Sequence, residues 1–219
     1  MTEGKSLKEQ NSWLIRAVMI GHMIAFVWVA TDPLHLQSLG GSALVAKLEA
    51  VAAPGTAALG LIVVTSLLLL GMIRPDWRDR LIHRRWHDPL PGCSAFTAIG
   101  PRSSHVNMAT LEAKYGPLPD ECADQNKLFF KIYRAHRDDI GVLDAHGGYL
   151  AARDSGTITA LLMVTLPWLA LWATGDVGRS ALYALSLVAV YLLFSQAARN
   201  YSWRMVQHVL ALASSEPEQ

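Results

Sequence analysis

The chain has 219 residues, 52% of them hydrophobic and 17% charged, with a formal net charge of +1. The length would suit one or two soluble domains, but the apolar residues sit in uninterrupted runs instead of at helical or strand spacing between charges, which excludes an ordinary soluble core. A balance of +1 says little by itself, because in a membrane chain the placement of charge carries the information.

Residues 1–12 are polar and offer no small-residue cleavage site before the first apolar run, so that run is expected to be retained as an anchor. It covers Trp13 to Thr31, with Arg16 near its start and His22 near its middle, and ends at Asp32-Pro33. Ser42 to Ala53 reads as a short amphipathic helix on the outer surface with Lys47 and Glu49 on one face; the alternative is one long second helix bent at Pro54. The second span, Thr56 to Ile73, is uncharged and is left at Arg74-Pro75, closing a first hairpin over 13–73. Thr157 to Thr174 is the third span, in which Pro167 is tolerable because neighbouring helices can satisfy the freed carbonyl. A tight turn over Gly175 to Arg179 leads to the fourth span, Ser180 to Ala198, so that 157–198 form a second hairpin and 199–219 a tail. Each run approaches the ~20 residues needed to cross about 30 Å of hydrocarbon at 1.5 Å per residue. The predicted fold is an all-α polytopic membrane protein with four transmembrane helices and a helical domain inserted between spans two and three.

Lys and Arg near span ends resist translocation, so their distribution predicts orientation. Lys5, Lys8, Arg74, Arg78, Arg80, Arg84, Arg85, Arg153, Arg199 and Arg204 flank one side, against Lys47 and Arg179 on the other. The first side is expected to be cytoplasmic, with both termini and residues 74–156 on it. Trp13, Trp28, Trp77, Trp168, Trp172 and Trp203 fall near span ends as an interfacial belt would. Cys93 and Cys122 both lie in the cytoplasmic stretch, where thiols stay reduced, so no disulfide is expected.

The insert 74–156 holds 12 basic and 11 acidic residues, and its apolar positions return to helical spacing. A basic helix is predicted over Asp76 to Trp86, stopped by Pro89-Leu90-Pro91-Gly92, and a second over Ser104 to Tyr115. Asp120 is placed as the cap of a third, and Asp139 starts a fourth that leads toward span three, with Gly147-Gly148 as a hinge.

Two basic surfaces are candidate ligand sites. Arg78, Arg80, His83, Arg84, Arg85 and His87 crowd three helical turns. One reading is topology and contact with anionic headgroups; the other is a polyanion site in which guanidiniums grip phosphates bidentately. Lys127, Lys131, Arg134 and Arg137 form a second stripe, either a solvated face or a nucleic-acid surface on which Phe129, Phe130 and Tyr133 stack bases, with core packing as the rings' other use. His83 and His87 at i, i+4, with Cys93 following and Cys122 or His136 elsewhere, could assemble a zinc site, but that spacing is permissive and unspecific, with no paired-cysteine knuckle and no glutamate after His83 to act as a base; no nucleophile elbow, phosphate loop or kinase signature is present either. No metal, cofactor or enzymatic activity is therefore expected. Within the spans His22, Thr65, Ser66 and Ser186 are candidate pore or gate residues, His22 having a packing hydrogen bond as its other reading. A conducting path would have to be built at an oligomer axis.

A four-span protein whose helical, arginine-rich insert divides two hairpins resembles the small membrane effectors of bacterial antiphage defence, most of all the membrane component of Hailong-type systems. The resemblance is architectural, carried by the spans, the Arg78 to His87 segment and the Phe129 to Arg137 helix. It implies a homo-oligomeric, tetrameric channel in the lipid bilayer, gated by an oligonucleotide or nucleotide that a partner nucleotidyltransferase makes. A non-conducting membrane scaffold that recruits a cytoplasmic protein is the alternative from another class.

Overall fold

The computed structural model describes residues 12–32 and 41–215, without the side chains of 44, 47 and 66–71. The charges of Lys5, Lys8 and Lys47 and the hydroxyl of Ser66 thus lie outside the description. Among the described residues seven α-helices are formed: α1 Ser12–Thr31, α2 Gly41–Gly71, α3 Pro75–His83, α4 Met108–Tyr115, α5 Cys122–His136, α6 Ile140–Thr174 and α7 Val177–Ser215. A 3₁₀ turn at Pro91–Ser94 and a π turn at Ala95–Ile99 precede α4, and no strand occurs among the described residues.

Four of these helices, within α1, α2, α6 and α7, are long and apolar enough to cross a bilayer. The chain divides into two compact units, an apolar one of Ser12–Arg74 and Asp154–Phe194 and a polar one built from Pro75–Arg153 and the chain from Ser195 onward. Helices α6 and α7 belong to both, changing unit after Arg153 and Phe194.

The apolar unit packs Phe26, Ile62, Ile158, Leu162, Leu166 and Leu187 inside, with Phe26 edge-on to Tyr183 at 6.3 Å. Its outside is also apolar: Ile20, Ile24, Val64, Val164, Leu182, Leu185 and Leu193 are exposed, as are Trp13, Trp28, Trp168 and Trp172. Such a surface is costly in water and fits the hydrocarbon of a membrane. Helix α2 runs through Pro54 as a single element, so the long-helix alternative describes 41–71 and a separate amphipathic helix over 42–53 does not. Just after the proline, Thr56 Oγ1 donates to the Ala52 carbonyl at 2.8 Å, one turn back along the same helix.

In the polar unit the predicted helices keep their places with shifted ends. Helix α3 stops at His83 because Arg84 takes φ 54°, and α4 starts at Met108 because Asn107 Oδ1 accepts from the Thr110 N–H at 3.2 Å. Asp120 is not the cap of α5: Glu121 precedes the first turn without a side-chain cap, and the Asp120 carbonyl accepts from Gln125 Nε2 at 2.7 Å. Asp139 does cap α6, its Oδ1 accepting from Gly141 at 2.8 Å and Val142 at 3.2 Å. Gly147-Gly148 interrupts nothing in the 35-residue α6; a Cβ on Gly148 would stand 2.6 Å from the Tyr201 ring, so the glycine admits that close approach.

Two findings correct the sequence reading. First, residues 199–215 are not a tail but the last turns of α7, and Met205, Val206, Val209, Leu210 and Ala213 join Ile99, Leu111, Phe129, Ile132 and Val142 in the polar unit's core. Secondly, Cys93 and Cys122 are joined in a disulfide. The expectation of free thiols rested on compartment alone, whereas the fold seats the 3₁₀ turn directly on the start of α5, where Asn126 and Phe129 occupy the space a Cβ on Gly92 would need.

Candidate functional site

The six cations and imidazoles predicted around α3 do not share one surface. Arg78 and His83 are buried, Arg80 is half-buried, and Arg84, Arg85 and His87 are exposed. Helical periodicity explains the split, because positions 78, 79, 82 and 83 form the inward stripe of α3. The exposed part carries aromatic rings as well: Trp77 and Trp86 meet edge-on at 6.1 Å, and the Arg80 guanidinium lies 5.3 Å from the Trp77 ring centre.

Beneath that surface is a buried polar cluster. Asp79, 4% exposed, accepts from the Tyr149 hydroxyl at 2.6 Å and from Arg153 Nη1 at 3.4 Å. The His83 ring stacks on Tyr149 with 5.9 Å between centres, and its Nε2 has no hydrogen-bond partner among the described residues. Ser195 Oγ donates to the Ile82 carbonyl at 2.6 Å, holding an orphan carbonyl at the C-terminal end of α3. Asp79, Tyr149, Arg153 and Ser195 were not singled out from the sequence. The available signal was Asp79 itself, the sole acid between Trp77 and Arg85.

Burial, reinforced by the charges of Arg199, Arg85 and Arg153, lowers the His83 pKa from 6.5 to about 4. Burial likewise raises the Tyr149 hydroxyl well above its ordinary value, with the adjacent Asp79 charge adding to the effect. Folded His83 is therefore neutral at pH 7, whereas in the unfolded chain it gains a proton as pH falls through 6.5. The unfolded state takes up that proton first, so stability held above pH 6.5 is lost progressively down to about pH 4. At about 1.4 kcal/mol per pH unit the loss is on the order of 3 kcal/mol. Thermal unfolding between pH 7 and 4 should show a smaller acid-side loss for His83→Gln than for the parent chain; parallel curves would disprove the assignment.

The α5 stripe is a surface. Lys127, Lys131, Arg134 and Arg137 are all exposed, and so is Phe130 at 48%, with the Arg134 guanidinium 4.8 Å over its ring and Tyr133 stacked beside it at 5.8 Å. Phe129 turns into the core, while Tyr133 hydrogen-bonds His146 Nδ1 through its hydroxyl at 2.8 Å. Of the three rings, Phe130 is the exposed one.

In the apolar unit His22 is buried and its Nε2 lies 3.0 Å from Thr159 Oγ1. The Thr159 hydroxyl also reaches the Ser155 carbonyl, at 2.9 Å. Thr65 is buried, and Ser186 donates to the Tyr183 carbonyl at 2.7 Å while lining a cleft of about 300 Å³ with Trp28, Tyr183 and the Asp32–Arg179 ion pair of 2.7 Å. His22 and Ser186 thus have different hydrogen-bond partners.

Searches of protein-family models, curated proteins and solved structures return no match to this chain.

Proposed function

We propose that the protein is an oligomeric membrane channel or membrane-disrupting effector of the bacterial inner membrane, gated by an anionic ligand, nucleic acid or nucleotide, on a cytoplasmic polar unit. The observation that carries this reading is the attachment of α3. Asp79 ties it to Arg153, the last residue of α6 within the polar unit, and the Ile82 carbonyl ties it to Ser195, the first residue of α7 within that unit. Both helices then continue unbroken into span-length segments. A phosphate-rich ligand that pulls on Arg84 and Arg85 acts on both span helices through two buried contacts, and its differential affinity for two arrangements supplies the work of gating. The exposed Phe130, flanked by Lys127, Lys131 and Arg134, gives the same ligand a stacking platform with cations around it. A tetramer, a nearby nucleotidyltransferase as ligand source and a role in antiphage defence belong to this proposal.

Ion flux from liposomes containing the purified protein, with single-stranded DNA oligomers at two salt concentrations, tests it. Flux should require the oligomer and weaken as salt rises. Arg84→Glu with Arg85→Glu should abolish the response. Phe130→Ala should raise the half-maximal oligomer concentration by at least about fivefold, since one base–aromatic stack contributes ~1–3 kcal/mol. Unchanged dose–response curves in both variants would remove the ligand site from these residues. Tight liposomes throughout, with the protein folded and oriented, would favour the scaffold instead.

A further inference from the structure

The turn after α3 and the first turn of α5 meet at a place that neither the basic surfaces nor the spans use. Asp88, Cys93 and Cys122 hold their donor atoms within 4.8 Å of one another, and among the described residues no other three His, Cys, Asp or Glu side chains converge in this way. The sulfurs are joined in this structure, and the packing around them also holds the two segments together. The 3₁₀ turn lies flush on α5, where a Cβ on Gly92 would stand 2.8 Å from the Phe129 ring and 3.3 Å from Asn126 Cα. The chain after Cys93 and the chain before Cys122 are both held by buried Gln125, which accepts from the Phe96 N–H at 3.1 Å and donates to the Asp120 carbonyl at 2.7 Å. The same packing leaves the Asp88 carboxylate beside the two sulfurs.

We propose that the reduced protein binds a thiophilic divalent cation, zinc foremost, through the Cys93 and Cys122 thiolates and the Asp88 carboxylate, with water in the fourth position. Two sulfurs at about 2.3 Å from one zinc lie roughly 3.8 Å apart in a tetrahedron, within reach of small side-chain rotations from the joined pair. Two thiolates with one carboxylate favour zinc over magnesium or calcium, which take oxygen ligands. Cys122 is the first residue of a 15-residue helix, whose positive end stabilises a thiolate. Asp88 is exposed and both cysteines are half-buried, so the ion has a path in from solvent. The histidine pair that the sequence offers is not used: His83 is buried against Tyr149. Disulfide and metal exclude each other. A phosphine opens the disulfide by taking the oxygen of one water to become the phosphine oxide, and the two electrons and two protons so supplied give two thiols. Those protons leave as the thiols bind metal.

The test uses the full chain in detergent, reduced by phosphine without oxygen and titrated with Co(II) as a spectroscopic stand-in for zinc. The parent protein should develop thiolate-to-cobalt charge-transfer absorption that saturates at one ion per chain and is bleached by zinc. Cys93→Ser and Cys122→Ser should lose it. Asp88→Asn, an exposed change that leaves the core alone, should weaken cobalt binding at least about tenfold, since losing even an outer partner of a metal ligand costs ~10–100-fold. A reduced parent protein with native helical circular dichroism and no charge-transfer absorption would overturn the site. An Asp88→Asn variant with undiminished affinity would overturn the proposed ligand set.

Discussion

A chain that stops at Arg199 is expected to lose its polar unit altogether. By sequence this deletion removes only residues beyond the last apolar run, and a tail should be dispensable. In the fold it removes Met205, Val206, Val209 and Leu210, of which the last three have no exposed surface, together with Tyr201, whose ring lies against Gly148. Full burial of each such side chain contributes about 1.5–3 kcal/mol, so the four account for roughly 6–12 kcal/mol. That matches the ~5–15 kcal/mol by which a whole domain is stable. Limited proteolysis in detergent should cut the truncated protein throughout 75–153 while the parent resists. Leu210→Ala, expected to cost about 2–5 kcal/mol, should give an intermediate result. A truncated chain that keeps a protease-resistant polar unit would show that the end of α7 is dispensable to that core.

The second large effect is expected at Asp79. Its side chain and that of Arg153 are 6% and 11% exposed, so the ion pair is poorly screened by water and each charge depends on the other. Asp79→Ala leaves the guanidinium without this carboxylate and the Tyr149 hydroxyl without its acceptor, at a cost of roughly 3–5 kcal/mol. Asp79→Asn keeps an oxygen for Tyr149 and should cost less. The double variant Asp79→Leu with Arg153→Met should recover most of the loss, because a packed apolar pair has no charge to leave stranded. Thermal unfolding followed by circular dichroism gives this order directly. A value for Asp79→Ala within about 0.5 kcal/mol of the parent, the range of ordinary surface changes, would mean the pair does not hold α3 in place.

The four helices long and apolar enough to cross a membrane were legible because hydrophobic runs are long, local signals. The apolar stretch from Thr56 and the pair flanking Gly175 needed no tertiary information. Helices α3 and α5 were legible for the same reason, through their periodicity, and Asp139 through its capping chemistry. The role of residues 199–215 was written in the spacing of Met205, Val206, Val209, Leu210 and Ala213, yet Arg199 and Arg204 read as the end of a span and drew attention away from a stripe that continues beyond them. The candidate site was less legible. Counting arginines finds the cluster around α3 but does not say that Arg78 faces inward, and Asp79 meets Tyr149 and Arg153 some seventy residues away, a separation no local pattern encodes. The cysteine pair was visible as residues and invisible as a neighbourhood, since Gly92, Asn126 and Phe129 bring it together.

Gln125 makes one irregular segment dependent on a distant helix. Residues 91–99 form a 3₁₀ turn and a π turn, too short and too irregular to nucleate alone. The N–H groups of Phe96 and Thr97 find their acceptor in the Gln125 side chain, at 3.1 and 3.4 Å, and the Thr97 hydroxyl exchanges hydrogen bonds with the same amide. Their order is thus borrowed from a helix about thirty residues later in the chain. Taking α5 apart would strip Phe96 and Thr97 of these acceptors, so the order of 91–99 depends on a helix later in the chain.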